Sequence, residues 1–230
     1  MARTDTARTD RPNIVVILAD DMGYSDIGAY GSEINTPALD TLAHEGVRFT
    51  QMYNAARCCP TRASLLTGVY PHQAGVGHMI QDHGVGTAYQ GYLSRNTVTI
   101  GEVLRDAGYK TAYAGKWHAS PGIPVVGQPV EPPGTLRNPW PLSRGFERFY
   151  GTLAGACNYF NPHALFEQHN RVEAVGEDYY YTDAIGDHAG RMIDEAAADR
   201  RPLFLHVCFT APHWPLHAKP DDIEAYRGQY

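Results

Sequence analysis

A chain of 230 residues is long enough for one large domain with a substantial core, and its 43% hydrophobic content suits a globular fold. A net charge of −6 leaves no basic face to neutralise phosphates, which argues against nucleic-acid binding, and no apolar run is long enough to span a bilayer. The four cysteines, Cys58, Cys59, Cys157 and Cys208, have no CxxC spacing, and a vicinal pair makes a strained disulfide, so neither a disulfide scaffold nor a zinc knuckle is expected.

Residues 1–11 are polar, with ARTD repeated, and read as a disordered leader. They lack the apolar stretch of a secretory signal, so a cytoplasmic location is expected, although a signal already removed would leave the same sequence. NIVVILADD (13–21) follows, with a continuous apolar run that predicts a strand buried on both faces and ending in two carboxylates. In NTPALDTLAHEGVRF, Thr36 can cap a helix, Pro37 suits its first position, Leu39, Leu42 and Ala43 share a face, and Gly46 can end it. A second strand is expected over Val47 to Tyr53.

RCCPTRASLLTG (57–68) predicts a helix beginning near Thr61 and stopped by Gly68. In TIGEVLRDAG, Thr99 and Glu102 have capping-box spacing and Gly108 ends the apolar periodicity. KTAYAG (110–115) reads as a strand, and the Pro- and Gly-rich residues 119–145 as a long surface excursion. Residues 182–198 have helical periodicity, and PLFLHVCF (202–209) has the pattern of a buried strand. Strands alternating with helices predict an α/β fold around a largely parallel central sheet.

Four stretches carry chemistry. Asp20 and Asp21, adjacent carboxylates at a strand end, can share a hard cation such as Ca²⁺ or Mg²⁺, or can instead cap a solvated turn. Cys58 or Cys59 at a helix start would feel the positive end of the helix dipole, with Arg62 offering a planar fork to an oxyanion; the alternative is two buried small side chains beside a surface charge. Lys116 and His118, two apart after a strand, would point to one side and could neutralise an anion and protonate a leaving group, or be a surface lysine beside a core histidine. His213 lies between Pro212 and Pro215 just past the last strand, and His217 is peripheral.

Together these stretches resemble the type I sulfatases of the alkaline-phosphatase-like superfamily. NIVVILADDMGYSDIGAYG, CCPTRASLLTG, YAGKWH, RGFERFYG, YYTDAIGDHA and TAPHWPLHAKP carry the likeness, and C-x-P-[ST]-R-A-x-L-x-T-G is its most specific part. The motif fits from Cys58, with Pro60, Thr61 and Arg62 in place, and does not fit from Cys59. The resemblance implies an alkaline-phosphatase-like fold with residues 12–230 as the N-terminal portion of the catalytic domain, because family members continue into segments that complete the metal site and add a second lysine. It implies that a formylglycine-generating enzyme converts Cys58 to Cα-formylglycine, whose hydrate attacks the sulfur of an aryl or carbohydrate sulfate ester. By the same resemblance Asp20, Asp21 and the modified Cys58 bind Ca²⁺ (or Mg²⁺), Arg62, Lys116 and His118 hold the diol and the sulfate, and His213 assists the leaving group. Relatives in the superfamily also cleave phosphate or phosphonate esters, which leaves that substrate class, or a catalytically silent fragment, as the alternatives.

Overall fold

The computed structural model describes residues 11–82, 84–120, 139–173 and 175–229. The expected leader and most of the expected excursion, residues 1–10 and 121–138, lie outside them. Six strands form one sheet: β1 (Ile14–Asp20), β2 (Lys110–Gly115), β3 (Arg148–Thr152), β4 (Leu165–Glu167), β5 (Asn170–Arg171) and β6 (Leu203–Pro212), in the order β1-β6-β2-β3-β4-β5. The pairs β1–β6, β6–β2 and β2–β3 are parallel, while β4 and β5 add an antiparallel margin. The helices are α1 (Pro37–Glu45), α2 (Cys58–Thr67), α3 (Ile100–Asp106), α4 (Tyr181–Asp199) and α5 (Pro220–Ala225).

Side-chain alternation along the two central strands sorts the core into two layers. Tyr113, Phe204 and Cys208 pack with Cys59, Ala63 and Leu66 of α2 and with Trp117, Phe146 and Phe149. Ala112, Ala114, Leu203, Leu205 and Val207 face the opposite way, onto Tyr181, Ile185, Ala189, Met192 and Ala196 of α4. The two alanines keep that face of β2 flat, so α4 can lie close to the backbone. Each large apolar side chain buried in this way contributes about 1.5–3 kcal/mol.

Several expectations hold closely. Strand β2 covers the residues anticipated, and α3 has its capping box: Glu102 N donates to Thr99 Oγ1 at 3.2 Å, and Thr99 N donates to Glu102 Oε2 at 2.7 Å. Gly68 ends α2 in the left-handed region at φ 70°.

Others are corrected. Strand β1 is not buried on both faces, because β6 is its only partner among the described strands; Val15 and Ile17 are 47% and 53% exposed. Residues 47–53 form no strand, since no described strand pairs with them, and Val47, Phe49, Met52 and Tyr53 are exposed. No residue of α1 is buried, and Thr36 stands at its N-cap position, before Pro37, without a side-chain capping bond; its hydroxyl accepts from Gly28 N at 2.8 Å and donates to Asp40 Oδ1 at 3.0 Å. Helix α2 begins at Cys58 rather than near Thr61. The described ends of the expected excursion are largely buried, with Ala119, Ser120, Trp140 and Arg144 in the interior. No described helix is long and apolar enough to cross a membrane.

His206 is a polar exception inside the first layer. It is buried in the middle of β6 against Tyr113 and Phe204, and neither ring nitrogen has a hydrogen-bond partner among the described residues. Burial, followed by the nearby Arg62 charge, pushes its pKa down to about 3. Between about pH 6.5 and 3 the unfolded chain therefore binds a proton that the folded chain refuses. This contribution to stability is complete above the unfolded value and is lost as the pH falls, at up to about 1.4 kcal/mol per pH unit. Unfolding midpoints measured from pH 7 to pH 4 should decline less steeply for His206→Leu than for the unaltered chain; parallel declines would exclude His206 as a source of acid sensitivity.

Candidate active site

Because β1, β6 and β2 run parallel, their C-terminal ends open on one side of the sheet, where α/β folds gather ligands. The register sets Leu18 and Gly115 both beside Cys208, so the chain leaves β1 through Asp20, β2 through Lys116 and β6 through His213 at neighbouring points. Gly115 is required for this exit. It sits at φ 111°, and a Cβ there would come 2.0 Å from the Cys208 carbonyl oxygen.

The centre is an ion cluster with almost no exposure. Lys116 Nζ donates to Asp20 Oδ2, and Arg62 Nη2 stands 3.2 Å from the same oxygen, an electrostatic contact rather than a directed hydrogen bond. Arg62 Nη1 donates to the Lys116 carbonyl at 2.6 Å, as does the Tyr113 hydroxyl at 2.6 Å. Arg62 Nε has no partner among the described residues, so the guanidinium retains donor capacity beyond Asp20.

A second cluster adjoins the first through shared segments. Cys58 and Arg62 are four residues apart on α2 and share a face. Cys59 Sγ lies 3.2 Å from His118 Nε2, and ligand atoms of Cys58, Cys59 and His118 all fall within 4.8 Å of one another. His118 takes a left-handed backbone at φ 50°, so the expected simple alternation of Lys116, Trp117 and His118 is broken. Trp117 instead packs on Tyr113 and Phe146, and its Nε1 donates to Pro139 O at 2.9 Å. The Cys58 and Cys59 sulfurs are close enough to share a proton. That sharing, aided by His118 and the Lys116 charge and opposed by burial, holds the Cys58 thiol far below its ordinary range. The same pairing, with burial, pushes Cys59 up. Burial pushes the His118 imidazole down, partly offset by Cys58.

The two expected metal carboxylates part company. Asp20 turns inward to the cations, while Asp21, at φ 64° and with a side chain 62% exposed, lies 3.7 Å from His213 Nε2. Both are hard oxygen donors of the type Ca²⁺ takes, so the chemistry fits. Two carboxylates nevertheless supply fewer than the six to eight oxygens of a Ca²⁺ shell, and Asp20 is already charge-compensated by protein groups. His217 is peripheral, packed against Tyr159 and Phe160.

Three residues of this site have no role in the motif-based expectation, Cys59 being weighed and set aside there and the other two not singled out. Cys59 touches His118 although it falls outside the motif register, and Tyr113 holds the Lys116 carbonyl. Gly155 is the third: a Cβ there would lie 2.2 Å from His118 Cε1 and 2.3 Å from Nε2, so only glycine leaves room for the ring. Alternation in KTAYAG puts Tyr113 on the inner face with Gly115, which was a usable signal; nothing local flags Gly155.

Residues 12–230 match the family model described as Sulfatase. An uncharacterised sulfatase of Schizosaccharomyces pombe is 34% identical over 253 residues, with 100% of this chain and 43% of that protein covered. The arylsulfatase of Klebsiella aerogenes is 34% identical over 236 residues, covering 97% of this chain and 48% of that one. Among solved structures, Ps i-CgsB in complex with k-i-k-neocarrahexaose superposes with a TM-score of 0.78 at 31% identity, over 94% of this chain and 48% of that chain. BT4656 in complex with its substrate D-glucosamine-2-N,6-O-disulfate gives a TM-score of 0.70 at 26% identity, over 94% and 37%. The chain thus spans about half the length of the curated relatives it matches, or less.

Two substitutions test the geometry. Asp20→Ala strands two buried cations and should cost about 3–5 kcal/mol, whereas the exposed Asp21→Ala should cost no more than about 0.5 kcal/mol. Equal losses in urea unfolding would contradict the inward ion cluster. Gly155→Ala should destabilise by about 1–3 kcal/mol through overpacking. Most of that loss should disappear in a chain that also carries His118→Ala, and strictly additive losses would mean the methyl meets something other than the ring.

Proposed function

The chain belongs to the sulfatase family, and from that membership we propose that it carries the nucleophile and the anion-holding half of a sulfuric-ester hydrolase acting on aryl or carbohydrate sulfates. The observation behind this reading is the convergence of Cys58, Arg62, Lys116 and His118 at the first turn of α2 and the exits of parallel strands. Relatives named as arylsulfatases, and a similar structure bound to a sulfated glucosamine, support the ester class.

Cys58 is the residue we assign to conversion into Cα-formylglycine by a formylglycine-generating enzyme, since only its register satisfies the motif. The hydrated aldehyde supplies one hydroxyl to attack sulfur and a second whose deprotonation expels sulfate and restores the carbonyl. Ca²⁺, when bound with Asp20 and Asp21, supplies Lewis-acid polarisation of the oxygens at the reacting centre. The remaining work belongs to side chains of this chain. At the first turn of α2 the helix dipole favours an anion, and Arg62, with Nε and Nη2 not committed to directed bonds, can take sulfate oxygens in a planar fork. Lys116 adds positive charge beside that position while Asp20 fixes its ammonium. His118, kept neutral by burial, is able to accept a proton from the diol, and His213 beside Asp21 is positioned at the strand exit to protonate the departing oxygen.

Co-expression with a formylglycine-generating enzyme, followed by mass spectrometry of the Cys58 peptide, tests the first step: an aldehyde is expected at Cys58 and an intact thiol at Cys59. An unconverted Cys58 would sink the mechanism. In an enzyme containing this chain, Cys58→Ala should abolish hydrolysis of an aryl sulfate and Cys59→Ala should leave most of it. An aryl phosphate assayed beside the sulfate decides the ester class, and faster turnover of phosphate would overturn the assignment.

A further inference from the structure

The thiol form of the chain contains a grouping in which Cys59, which has no part in the proposed sulfate hydrolysis, joins two residues that do. Cys58 Sγ, Cys59 Sγ and a ring nitrogen of His118 lie within 4.8 Å of one another, and they are the only such group of potential metal ligands among the described residues. Zinc bound through two sulfurs and one nitrogen at about 2.3 and 2.0–2.1 Å in a tetrahedron sets ligand atoms roughly 3.5–3.8 Å apart. The 3.2 Å Cys59–His118 contact is therefore within a small side-chain movement of a chelating arrangement. The surroundings are also soft: Met79 Sδ is 3.8 Å from Cys59 Sγ. His118 is only 4% exposed, its Nδ1 has no partner among the described residues, and its ring occupies the space that glycine at 155 leaves open. Cys58 is partly open, which gives an ion a way in.

We propose that Cys58, Cys59 and His118, in the thiol form of the folded chain, bind a thiophilic divalent cation of the zinc type, and that the bound cation shields the Cys58 sulfur from thiol reagents. The site differs from the oxygen site at Asp20 and Asp21 in both ligands and metal class. Binding forms two metal–sulfur bonds and one metal–nitrogen bond, leaves a fourth position for water, and releases to solvent whatever protons the two thiols carry. The positive charges of Lys116 and Arg62 oppose a cation here, but Asp20 compensates them in part and the two thiolates supply the rest. Conversion of Cys58 removes one of the two sulfurs and abolishes the chelate, so only the thiol form has this site. The proposal depends on the thiol geometry and not on the sulfatase reaction.

Titration of the reduced, metal-free chain with Co²⁺ under anaerobic conditions reads the site directly. Thiolate-to-cobalt charge-transfer absorption with tetrahedral visible bands should saturate at one equivalent and be displaced by Zn²⁺. Cys59→Ala should weaken Co²⁺ binding by more than the roughly 10–100-fold typical of losing an outer-shell partner, while Cys157→Ala, which alters a buried thiol outside the cluster, should leave it unchanged. No charge-transfer absorption, or an undiminished one in Cys59→Ala, overturns the proposal. A measurement on the unaltered chain guards against misfolding of that variant. Zn²⁺ should slow alkylation of Cys58, with the rate restored by a chelator, and an unchanged rate also overturns it. A chain that binds Co²⁺ through both sulfurs but is never converted keeps this site and loses the sulfatase reading. A chain converted at Cys58 whose thiol form gives no cobalt absorption has the opposite outcome.

Discussion

Everything at the strand ends hangs on one carboxylate. Asp20 Oδ2 holds both Lys116 and Arg62, and through them it joins the end of β1, the exit from β2 and the first turns of α2. A lone buried carboxylate would be strongly disfavoured, and so would either cation alone; together they are tolerable because each compensates another. Two further donors, from Arg62 and Tyr113, clamp the Lys116 carbonyl, so the backbone of the exit loop is fixed as firmly as its side chain. The ion cluster sets position, and the reactive sulfur and imidazole are arranged around a frame that cannot shift without separating charges.

Much of this frame was legible in the sequence, for reasons that differ by element. Strand β2, helix α4 and the α3 capping box were readable because their signals are local: alternation, a 3.6-residue period, and Thr99 three residues before Glu102. Residues 47–53 were misread because β-rich composition reports fitness for a sheet and not the presence of a neighbour. The same limit applies to β1, where an apolar run suggests two covered faces but cover comes from other elements. Pro60 suggested a later start for α2, yet proline is also tolerated within the first turn, where its amide would have no partner anyway.

At the site, the motif register carried Cys58 and Arg62, and the earlier start of α2 puts the two on one helix face. Spacing could not show that Asp20 and Asp21 diverge. That depends on a left-handed backbone at Asp21, which turns neighbouring carboxylates toward protein cations on one side and His213 on the other. Cys59 was set aside because it fails the motif, although a motif records which residues a reaction needs and not which atoms touch. Contacts between segments nearly sixty residues apart, such as Cys59 with His118, arise only from packing.

The position of β6 has a consequence for the order of events during folding. It is the last of the described strands in sequence, yet it lies between β1 and β2, with Ile14 beside Phe204. During synthesis β1 emerges almost two hundred residues before the neighbour it pairs with, and β1 cannot join β2 through the sheet until that neighbour arrives. Contacts of such long range make folding slow, because the entropy of closing the loop is lost before the pairing repays it. Asp20 and Lys116, at or just beyond the ends of strands that β6 separates, therefore reach their final spacing only once β6 stands between those strands.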